Sequence, residues 1–315
     1  MERLEENAIE ILHMICRNST GIVSDSGGKD SSVLKHIAMK AHEKYGFQFS
    51  IRHNHTTVDA PETVNYVKEE KKRFEGMGIQ YVISYPQKSM WQLIVENVAP
   101  PTRLWRYCCE ELKERSGEPG ERLITGVRKA ESTNRAKNQA VATIPKPKAG
   151  LKKEVEKNSD FQQTDKGGII VLNLDNAETR RTVESCFRTH KVLINPLIDW
   201  DDDFLWWYIN HENICINPRY KKKGVCRVGC IGCPMAGDGR WEQFREFPKY
   251  RENYIRAFDR MLIERERRGL QSSKQWETGL KVYKWWMEDK NMDGQMAFDE
   301  MGQIYEQYTD RENYR

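Results

Sequence analysis

The sequence contains no uninterrupted apolar run close to the roughly 18 residues that a membrane-spanning helix needs. Residues 1–6 are acidic overall, and no signal-like apolar stretch follows them. These two absences predict a protein without a membrane anchor. We expect it to stay in the cytoplasm, where thiols are kept reduced.

The chain also lacks a strong charge of either sign, since its formal net charge is +4. This value permits nucleic-acid binding but does not indicate it. Internal repeats and heptad runs are absent as well. A hydrophobic fraction of 38% beside a charged fraction of 31% is enough for a packed core under a strongly solvated surface. The 315 residues fit one large domain, or a main domain with an appendage.

Strand and helix patterns alternate through the first part of the chain. The expected strands are residues 21–24, 47–53, 80–85 and 122–126, and the expected helices are residues 5–16, 61–74 and 90–98 with a further helix after residue 32. This alternation predicts an α/β fold with a doubly wound, mainly parallel sheet, whose ligands bind at the carboxyl ends of the strands.

The pattern weakens from residue 137 to residue 182, where a Pro- and Lys-rich insertion with a short strand at 168–172 is expected. A strand at 192–196 and a helix after Trp200 restore it. We predict a main domain over residues 1–235 and a helical C-terminal appendage over 236–315. Its expected apolar faces are Tyr254, Phe258, Met261 and Leu262, and Trp276, Leu280, Tyr283 and Met287.

A glycine-rich loop lies between the first strand and its helix. Its residues are Ser26, Gly27, Gly28, Lys29, Asp30, Ser31 and Ser32. The two glycines permit positive φ and a close approach of backbone N–H groups to an anion, and the start of the helix adds further donors. Serine hydroxyls can donate to phosphate oxygens, Lys29 can neutralise them, and Asp30 can cap the helix or help to hold Mg²⁺. An ordinary Gly-Gly turn is the alternative.

This loop closely resembles the pyrophosphate loop of the N-type ATP pyrophosphatases and, within that PP-loop superfamily, of the phosphoadenosine phosphosulfate reductase-like family. Three further segments match the family in order: residues 58–63 (VDAPET), 125–132 (TGVRKAES) and 195–200 (NPLIDW). The resemblance covers roughly residues 15–235. It implies an adenine nucleotide alpha-hydrolase-like fold.

The resemblance also implies the residues that hold ATP or a related adenine nucleotide. They are Ser26, Gly27, Gly28, Lys29, Asp30, Ser31, Ser32, Asp59, Gly126 and Arg128. The chemistry of Arg128 agrees independently, because an arginine just after a strand-terminal glycine suits bidentate anion contacts at the ligand end of the sheet. A surface arginine paired with Glu131 is the alternative. The catalytic candidates are Lys29, Asp30, Arg128 and Cys226.

Eight cysteines are present, and five fall in two groups, Cys108 with Cys109 and Cys226 with Cys230 and Cys233. In a reducing compartment such groups indicate metal or cluster chemistry, although free cysteines are often only small buried apolar residues. Two pairs can supply the four ligands of a cubane cluster or of zinc.

The family resemblance implies a 4Fe–4S cluster held by Cys108, Cys109, Cys230 and Cys233. Cys226 stays an alternate ligand or a redox-active thiol. Three other cysteines are expected to be packing residues: Cys16, Cys186 and Cys215.

The sulfonucleotide reductases of this family carry a nucleophilic cysteine near the C-terminus, whereas this chain has no cysteine after Cys233. The same loop and cluster occur in DNA phosphorothioation sulfur-transfer proteins and in tRNA thiolation enzymes. The resemblance therefore implies an ATP-dependent, iron–sulfur-containing sulfurtransferase. This enzyme would adenylate a nucleic acid as its acceptor and release pyrophosphate. It would receive sulfur from a cysteine desulfurase.

Two other functions stay open: a sulfonucleotide reductase with a displaced thiol, and a non-enzymatic nucleotide- and cluster-binding subunit. Two basic groups favour a nucleic-acid substrate, although lysine runs are usually solvated surface. They are Lys146, Lys148, Lys152 and Lys153 in the insertion, and Lys221, Lys222, Lys223 and Arg227 beside the cysteine segment.

Overall fold

The computed structural model describes residues 2–16, 19–102, 106–114, 118, 120–130, 141–144, 161–163, 169–172, 183–186, 191–270, 272 and 275–288. The chain divides into two compact units. The sheet unit comprises Met1–Asn54, Pro61–Ser84 and Ser116–Gly229, and the helical unit comprises His55–Ala60, Tyr85–Arg115 and Cys230–Arg315. These units interleave along the chain, and the domain boundary after residue 235 stays a prediction.

The strands belong to two sheets of the sheet unit. They are β1 (Gly21–Ser24), β2 (Phe49–Asn54), β3 (Tyr81–Ser84), β4 (Arg122–Ile124), β5 (Val141–Ile144), β6 (Phe161–Gln163), β7 (Ile169–Leu172), β8 (Val183–Cys186) and β9 (Lys191–Ile194). The larger sheet has the order β3-β2-β1-β4-β9-β8 and is parallel except for the pair β8–β9. The predicted α/β fold with a mainly parallel sheet is confirmed.

The smaller sheet lies within the predicted insertion and has the antiparallel order β5-β7-β6. The short strand expected at 168–172 is confirmed as β7. Two strands that the sequence pattern did not predict, β5 and β6, pair with it.

The helices are α1 (Glu2–Cys16), α2 (Lys29–Tyr45), α3 (Pro61–Gly76), α4 (Met90–Glu96), α5 (Tyr107–Cys109, continued by a π-helical turn over Glu110–Glu114), α6 (Asp202–His211), α7 (Gly239–Glu246), α8 (Pro248–Arg267) and α9 (Gly279–Glu288). In the described ranges no helix is long and apolar enough to cross a membrane. The expected helical C-terminal region is confirmed by α7, α8 and α9.

Strand order fixes where a ligand can bind in the sheet unit. From β1 the chain runs to β2 and β3 on one side, and it then returns to β4 on the other side of β1. The register pairs Ile22 with Leu123 and Val23 with Ile124, so β1 and β4 end next to each other. Such a reversal of strand order opens a crevice at the carboxyl ends of the two strands. The loop at residues 26–32 follows β1, and the segment from residue 125 follows β4.

Apolar faces explain the packing of the sheet unit. Helix α1 buries Ala8, Leu12 and Cys16 at helical spacing, and α2 buries an apolar stripe that includes Val33 and Ile37. Helix α2 ends at Gly46, which adopts a left-handed conformation (φ 69°) and donates its N–H to the carbonyl of His42.

The helical unit has a separate, aromatic-rich core. Helix α8 buries Tyr254, Phe258 and Met261, as predicted. Leu280 was expected on the apolar face of α9, but this is wrong, since its side chain is 48% exposed. The buried stripe of α9 is centred on Val282 and Trp286, which leaves Leu280 at its margin.

Two buried arginines complete this core by donating hydrogen bonds to backbone carbonyls. Arg240 donates from Nη1 to the Trp286 carbonyl at 3.0 Å, near the end of α9. Arg265 donates from Nη1 to the Val98 carbonyl at 2.7 Å. The Arg240 guanidinium thus satisfies a carbonyl in the last turn of α9, where helices leave carbonyls without a backbone donor. The Arg265 guanidinium satisfies a carbonyl just beyond the end of α4.

Candidate functional site

The loop that follows β1 is the first part of the candidate site, and its backbone requires glycine. Gly27 has φ +71°, a conformation that strains residues with a side chain. A Cβ at this position would also lie 2.9 Å from Thr63 Cγ2. Asn217 Nδ2 donates to the Gly27 carbonyl and to Thr63 Oγ1, both at 3.0 Å. The loop is therefore fixed by contacts from α3 and from a segment distant in sequence.

The carboxylate of Asp25, which the sequence motifs did not predict as a site residue, lies beneath this loop. Asp25 is 2% exposed. Its Oδ1 accepts hydrogen bonds from the Gly27 N–H and the Ser31 hydroxyl, both at 2.8 Å. Its Oδ2 accepts from Lys35 Nζ and from the Tyr81 hydroxyl, both at 2.6 Å. One oxygen thus shapes the loop, while the other is bound by donors of the core.

The charge of Asp25 is balanced by a buried network. Lys35 Nζ also lies 2.7 Å from Glu70 Oε2, and Glu70 Oε1 lies 2.8 Å from Arg73 Nε. Burial by itself would raise the pKa of Asp25, but Lys35, His53 and the hydrogen bond from Tyr81, in that order, together outweigh this effect and hold the pKa well below its usual range. Two acids and two bases therefore compensate one another, so the loop does not rest on an unpaired negative charge.

The serine hydroxyls of the loop point in different directions. Ser31 is turned inward to Asp25, and Ser32 Oγ lies 3.0 Å from the Gly28 carbonyl and 2.9 Å from the Tyr66 hydroxyl. The side chain of Ser26 is exposed, and its Oγ accepts from the Gly28 N–H at 3.3 Å. In this structure Ser31 and Ser32 brace the loop, and their role as phosphate donors stays a prediction.

The segment after β4 forms the second part of the site and packs closely on the loop. A Cβ built on Gly126 would lie 3.1 Å from the carbonyl carbon of Asp30 and 3.2 Å from its oxygen. The Thr125 N–H donates to the Ile194 carbonyl at 2.8 Å, and the Thr125 hydroxyl donates to Asn195 Oδ1 at 2.5 Å. The glycine is therefore needed where β4 meets the first turn of α2.

Arg128 is fully buried and aims its guanidinium at the loop. Its Nε donates to Asp30 Oδ1 at 2.6 Å, and its Nη2 donates to Asp202 Oδ1 at 2.7 Å. Its Nη1 donates to the Trp200 carbonyl at 3.1 Å. The hydrogen bond from Arg128 is the main cause that lowers the pKa of Asp202. Both carboxylates therefore contact one planar cation.

Lys29 closes a ring of four charges that consists of Lys29, Asp30, Arg128 and Asp202. Lys29 Nζ lies 3.0 Å from Asp30 Oδ2 and 3.5 Å from Asp202 Oδ1. Three of the catalytic and binding residues predicted from the sequence thus meet directly. Asp202, the fourth member of this four-charge ring, was not predicted.

Tyr220 is a further contact that the sequence did not reveal. Its hydroxyl accepts from the Lys29 N–H at 3.0 Å, which caps the first amide of α2. Burial is the main cause that raises the pKa of Tyr220 to about 12. The phenol therefore stays neutral near pH 7, so this contact adds no negative charge at the start of the helix.

Exposed basic side chains follow Tyr220 in the sheet unit: Lys221, Lys222, Lys223 and Arg227. Lys222 Nζ lies 2.6 Å from Glu62 Oε1. Cys226 is exposed in the same segment. The other predicted basic group, at residues 146–153, lies outside the described residues.

Two of the remaining cysteines can be placed. Cys16 is 3% exposed in the core, as expected. Cys215 is exposed, so its expected packing role is wrong. The side chain of Cys186 lies outside the described part of the chain.

The other predicted site lies in the core of the helical unit, where four thiols share one apolar environment. Cys108 and Cys230 are buried, and Cys109 and Cys233 pack against the same core. The hydrogen bond with Cys109 and burial raise the pKa of Cys108, and Cys230 and Cys233 raise it further. The four sulfur atoms are therefore within electrostatic reach of one another. We call these residues the thiol cluster.

Asp59 also belongs to the helical unit, and its carboxylate is bound locally. It accepts from the Thr56 N–H at Oδ2 and from the Thr56 hydroxyl at Oδ1, both at 2.7 Å. Thr56 Oγ1 lies 3.4 Å from Cys230 Sγ. Asp59 thus reaches the thiol cluster through one hydroxyl, while its predicted nucleotide contact stays a prediction.

A cation lies near the same thiols. Cys230, followed by Cys109 and Cys233, raises the pKa of Lys113. Within the described ranges, however, no group of three or more His, Cys, Asp or Glu side chains is arranged to hold a metal ion. Soft thiolate donors in an apolar core suit an iron–sulfur cluster or zinc by their chemistry. The four residues therefore fit such a group as a donor set, and the assignment stays a prediction.

The family of the chain follows from comparison with known proteins. A family model described as the phosphoadenosine phosphosulfate reductase domain matches residues 20–236. This chain belongs to that family and to the PP-loop superfamily, as the sequence motifs implied. Membership makes it a nucleotide-using, sulfur-related PP-loop protein of an enzyme family.

Several known proteins are similar to this chain. Sulfate adenylyltransferase subunit 2 of Burkholderia lata is 25% identical over 226 residues, which cover 71% of this chain and 68% of that protein. The same subunit of Methylorubrum extorquens is 24% identical over 229 residues, which cover 70% of this chain and 65% of that protein. The chain therefore spans about two thirds of the length of these relatives.

Two solved structures are more distant. A phosphoadenylyl-sulfate reductase of Candida auris in its phosphate complex has a TM-score of 0.43 at 13% identity, over 73% of this chain and 93% of that one. A U34-tRNA thiolase of Methanococcus maripaludis with its 4Fe–4S cluster has a TM-score of 0.41 at 12% identity, over 87% of this chain and 82% of that one. Neither likeness carries a functional inference for this chain.

The contact of Gly126 with the start of α2 predicts that Gly126→Ala weakens anion binding. The added Cβ must displace Asp30 backbone, and such overpacking costs about 1–3 kcal/mol. Pyrophosphate affinity, measured by calorimetry, should fall about tenfold or more. Gly76→Ala is the matched control, because a Cβ there meets no atom within 4 Å. Equal affinities of both variants would contradict the role of this contact.

The buried network predicts that Asp25 has two separable roles: it stabilises the fold through Lys35, and it holds the loop in its binding conformation. Asp25→Ala removes one partner of a buried ion pair, and we expect a loss of about 3–5 kcal/mol in the free energy of unfolding, measured with denaturant. Adding Lys35→Met should recover part of this loss, since it removes the excess buried positive charge and leaves Glu70 paired with Arg73. Pyrophosphate binding should stay weak in both variants, because the anchor of Gly27 and Ser31 is gone. Recovery of binding in the double variant would contradict this account.

Proposed function

We propose that this protein is an ATP-dependent sulfurtransferase that adenylates an acceptor before sulfur enters it. In the first step an acceptor oxygen attacks the α-phosphorus of ATP, the bond to the β-phosphate oxygen breaks, and pyrophosphate leaves. In the second step a sulfur nucleophile attacks the acceptor carbon, and AMP departs with the oxygen. Each step needs a site that holds multiply charged phosphate.

One observation carries the proposal: Lys29 and Arg128, which follow adjacent parallel strands, converge on the same two carboxylates, which lie at the start of α2 (Asp30) and at the start of α6 (Asp202). Lys29 Nζ and Arg128 Nη2 both contact Asp202 Oδ1, at 3.5 and 2.7 Å. Two cations beside the amides of a helix N-terminus suit a leaving pyrophosphate. The adenylyltransferase named among the relatives supports adenylyl transfer as the first step.

The contacts of each residue in the site indicate its role. Asp25 holds the loop backbone through the Gly27 N–H, and Tyr220 caps the Lys29 N–H. Arg128 would contact the anion with its planar fork, and Lys29 would act as a flexible point charge. The buried position of Arg128 excludes water from one side of the phosphates and strengthens its attraction for them.

Cys108, Cys109, Cys230 and Cys233 would hold a 4Fe–4S cluster, which would supply electron transfer or sulfide handling when it is bound. Thr56 would orient Cys230 through its hydroxyl, at 3.4 Å. Sulfur would reach the protein from a cysteine desulfurase. A nucleic acid is the acceptor that we favour, because exposed lysines follow Tyr220, whose hydroxyl contacts the loop.

A sulfonucleotide reductase is the second candidate, and the exposed thiol of Cys226 in the sheet unit favours it. The two activities differ in their products. With ATP, nucleic acid and a sulfide source, the transferase forms pyrophosphate and AMP in equal amounts. With an adenylyl sulfate and a thiol reductant, the reductase forms sulfite. Formation of sulfite without pyrophosphate would overturn the transferase proposal. If neither product forms, a non-enzymatic binding subunit is the function that remains.

The position of Arg128 predicts that Arg128→Gln lowers the rate of pyrophosphate release about a hundredfold, the usual effect of losing one donor to a developing anion. Arg128→Lys should be intermediate, since it keeps the charge but loses the fork. Arg3→Gln, an exposed arginine of the same unit, serves as the control and should release pyrophosphate at nearly the wild-type rate. A wild-type rate in Arg128→Gln would remove Arg128 from the proposed mechanism.

The thiol cluster predicts about four irons and four acid-labile sulfides per chain in protein purified without oxygen. Cys233→Ser should lose the visible absorbance and most of the iron, whereas Cys215→Ser, an exposed cysteine, should keep both. Cys226→Ser tests the alternate ligand in the same way. A full iron content in Cys233→Ser would show the ligand assignment to be wrong, and stoichiometric zinc would replace the cluster by a structural metal.

A further inference from the structure

Asp202 occupies a position that an anionic ligand would need. Its Oδ1 lies 2.7 Å from Arg128 Nη2 and 3.5 Å from Lys29 Nζ, so one oxygen contacts both cations of the four-charge ring. A phosphate oxygen that binds these two cations would make the same pair of contacts. The ring is neutral as it stands, with two cations and two carboxylates. An added anion must therefore either bind to a neutral group or replace one of its carboxylates.

The two carboxylates of the ring differ in their freedom to leave. The side chain of Asp30 is 18% exposed, and its backbone packs against Gly126, where even a Cβ would come within 3.1 Å. The side chain of Asp202 is 61% exposed. It is the one carboxylate of this ring that can turn into solvent without moving the loop.

Helix α6 does not depend on the side chain of Asp202 for its start. Asp201 is the N-cap, and its carboxylate accepts from the Phe204 N–H at 2.7 Å. Leu205 and Tyr208 anchor the helix in the core. The carboxylate of Asp202 can therefore change its contacts while α6 keeps its cap and its packing.

We propose that Asp202 is an internal competitor for the anion site, which holds Lys29 and Arg128 in place in the free protein and is displaced by the phosphates of the nucleotide. Because Asp202 must first be displaced, every ligand that needs these two cations has its apparent affinity lowered by the same factor. Asp202 also keeps two cations paired when no ligand is bound. This inference rests on the proposed function, in which Lys29 and Arg128 form the anion site.

The test is the affinity of inorganic pyrophosphate, measured by calorimetry without divalent cations and at fixed ionic strength. Asp202→Asn should bind pyrophosphate about three- to tenfold more tightly than the wild type, because a partly exposed carboxylate with two cation contacts no longer has to leave. Asp202→Ala should change the affinity in the same direction. Damage to the fold would loosen binding, so tighter binding separates competition from a structural effect.

Asp203→Asn is the matched control. It removes the same charge one position further along α6, from a side chain that makes no ion pair with the residues that the structure describes. Its affinity should stay within about twofold of the wild type. Equal tightening in both variants would assign the effect to net charge and overturn the competition.

Two results separate this inference from the proposed function. If the wild type binds pyrophosphate and Asp202→Asn binds it equally or more weakly, Asp202 is not a competitor, while the anion site stands. If neither the wild type nor any variant binds pyrophosphate, the proposed function fails, and the inference fails with it.

Discussion

The sheet unit depends on one constraint: a loop built to attract anions is held from below by an ionised carboxylate. An unpaired buried carboxylate costs several kcal/mol, and it would also repel a phosphate. Lys35 removes both problems, because its ammonium lies 2.6 Å from Asp25 Oδ2 and leaves Oδ1 free to bind the loop. The conformation of Gly27 and the inward turn of Ser31 both depend on this anchor.

Charges at the loop are arranged in two layers, each balanced within itself. Below the loop, Asp25 and Glu70 are matched by Lys35 and Arg73. At its mouth lies the four-charge ring. Because neither layer carries a net charge, the lasting attraction for an anion comes from the backbone amides at the start of α2. The cations of the upper layer add to it only when they exchange their carboxylate partners for a ligand.

Local patterns in the sequence predicted much of this architecture. The strand, loop and helix at residues 21–45 and the buried face of α8 follow from hydrophobic periodicity, and Arg128 follows from its place after β4. The pattern could not show that Asp25 and Lys35 form a buried pair, since an acid before a loop and a lysine in a helix usually face solvent. A lysine on the otherwise apolar side of α2 was the available signal. Leu280 shows a similar limit: it lies at the margin of the buried stripe of α9, and helical spacing alone does not locate the centre of such a stripe.

Contacts between distant segments were beyond sequence reasoning for a different reason. Asn217, Tyr220 and Asp202 complete the loop from residues far along the chain, and no local pattern encodes such closure. These contacts form only in the folded protein, where the segments after β1 and β9 both lie at the carboxyl ends of the parallel strands. The motifs predicted from the sequence were therefore the residues nearest the strands, and the residues that were missed come from the loops that close over them.

The helical unit meets a related electrostatic problem with a different solution. Burial raises the pKa of Cys230 and therefore favours the neutral thiol, which an apolar core accommodates at little cost. A metal binds thiolates, so its binding must release protons and place negative charge in the same core. Lys113 is positioned to compensate that charge. Whereas the sheet unit pairs its buried charges within the protein, thiolates in the helical unit would require the positive charge of a bound metal.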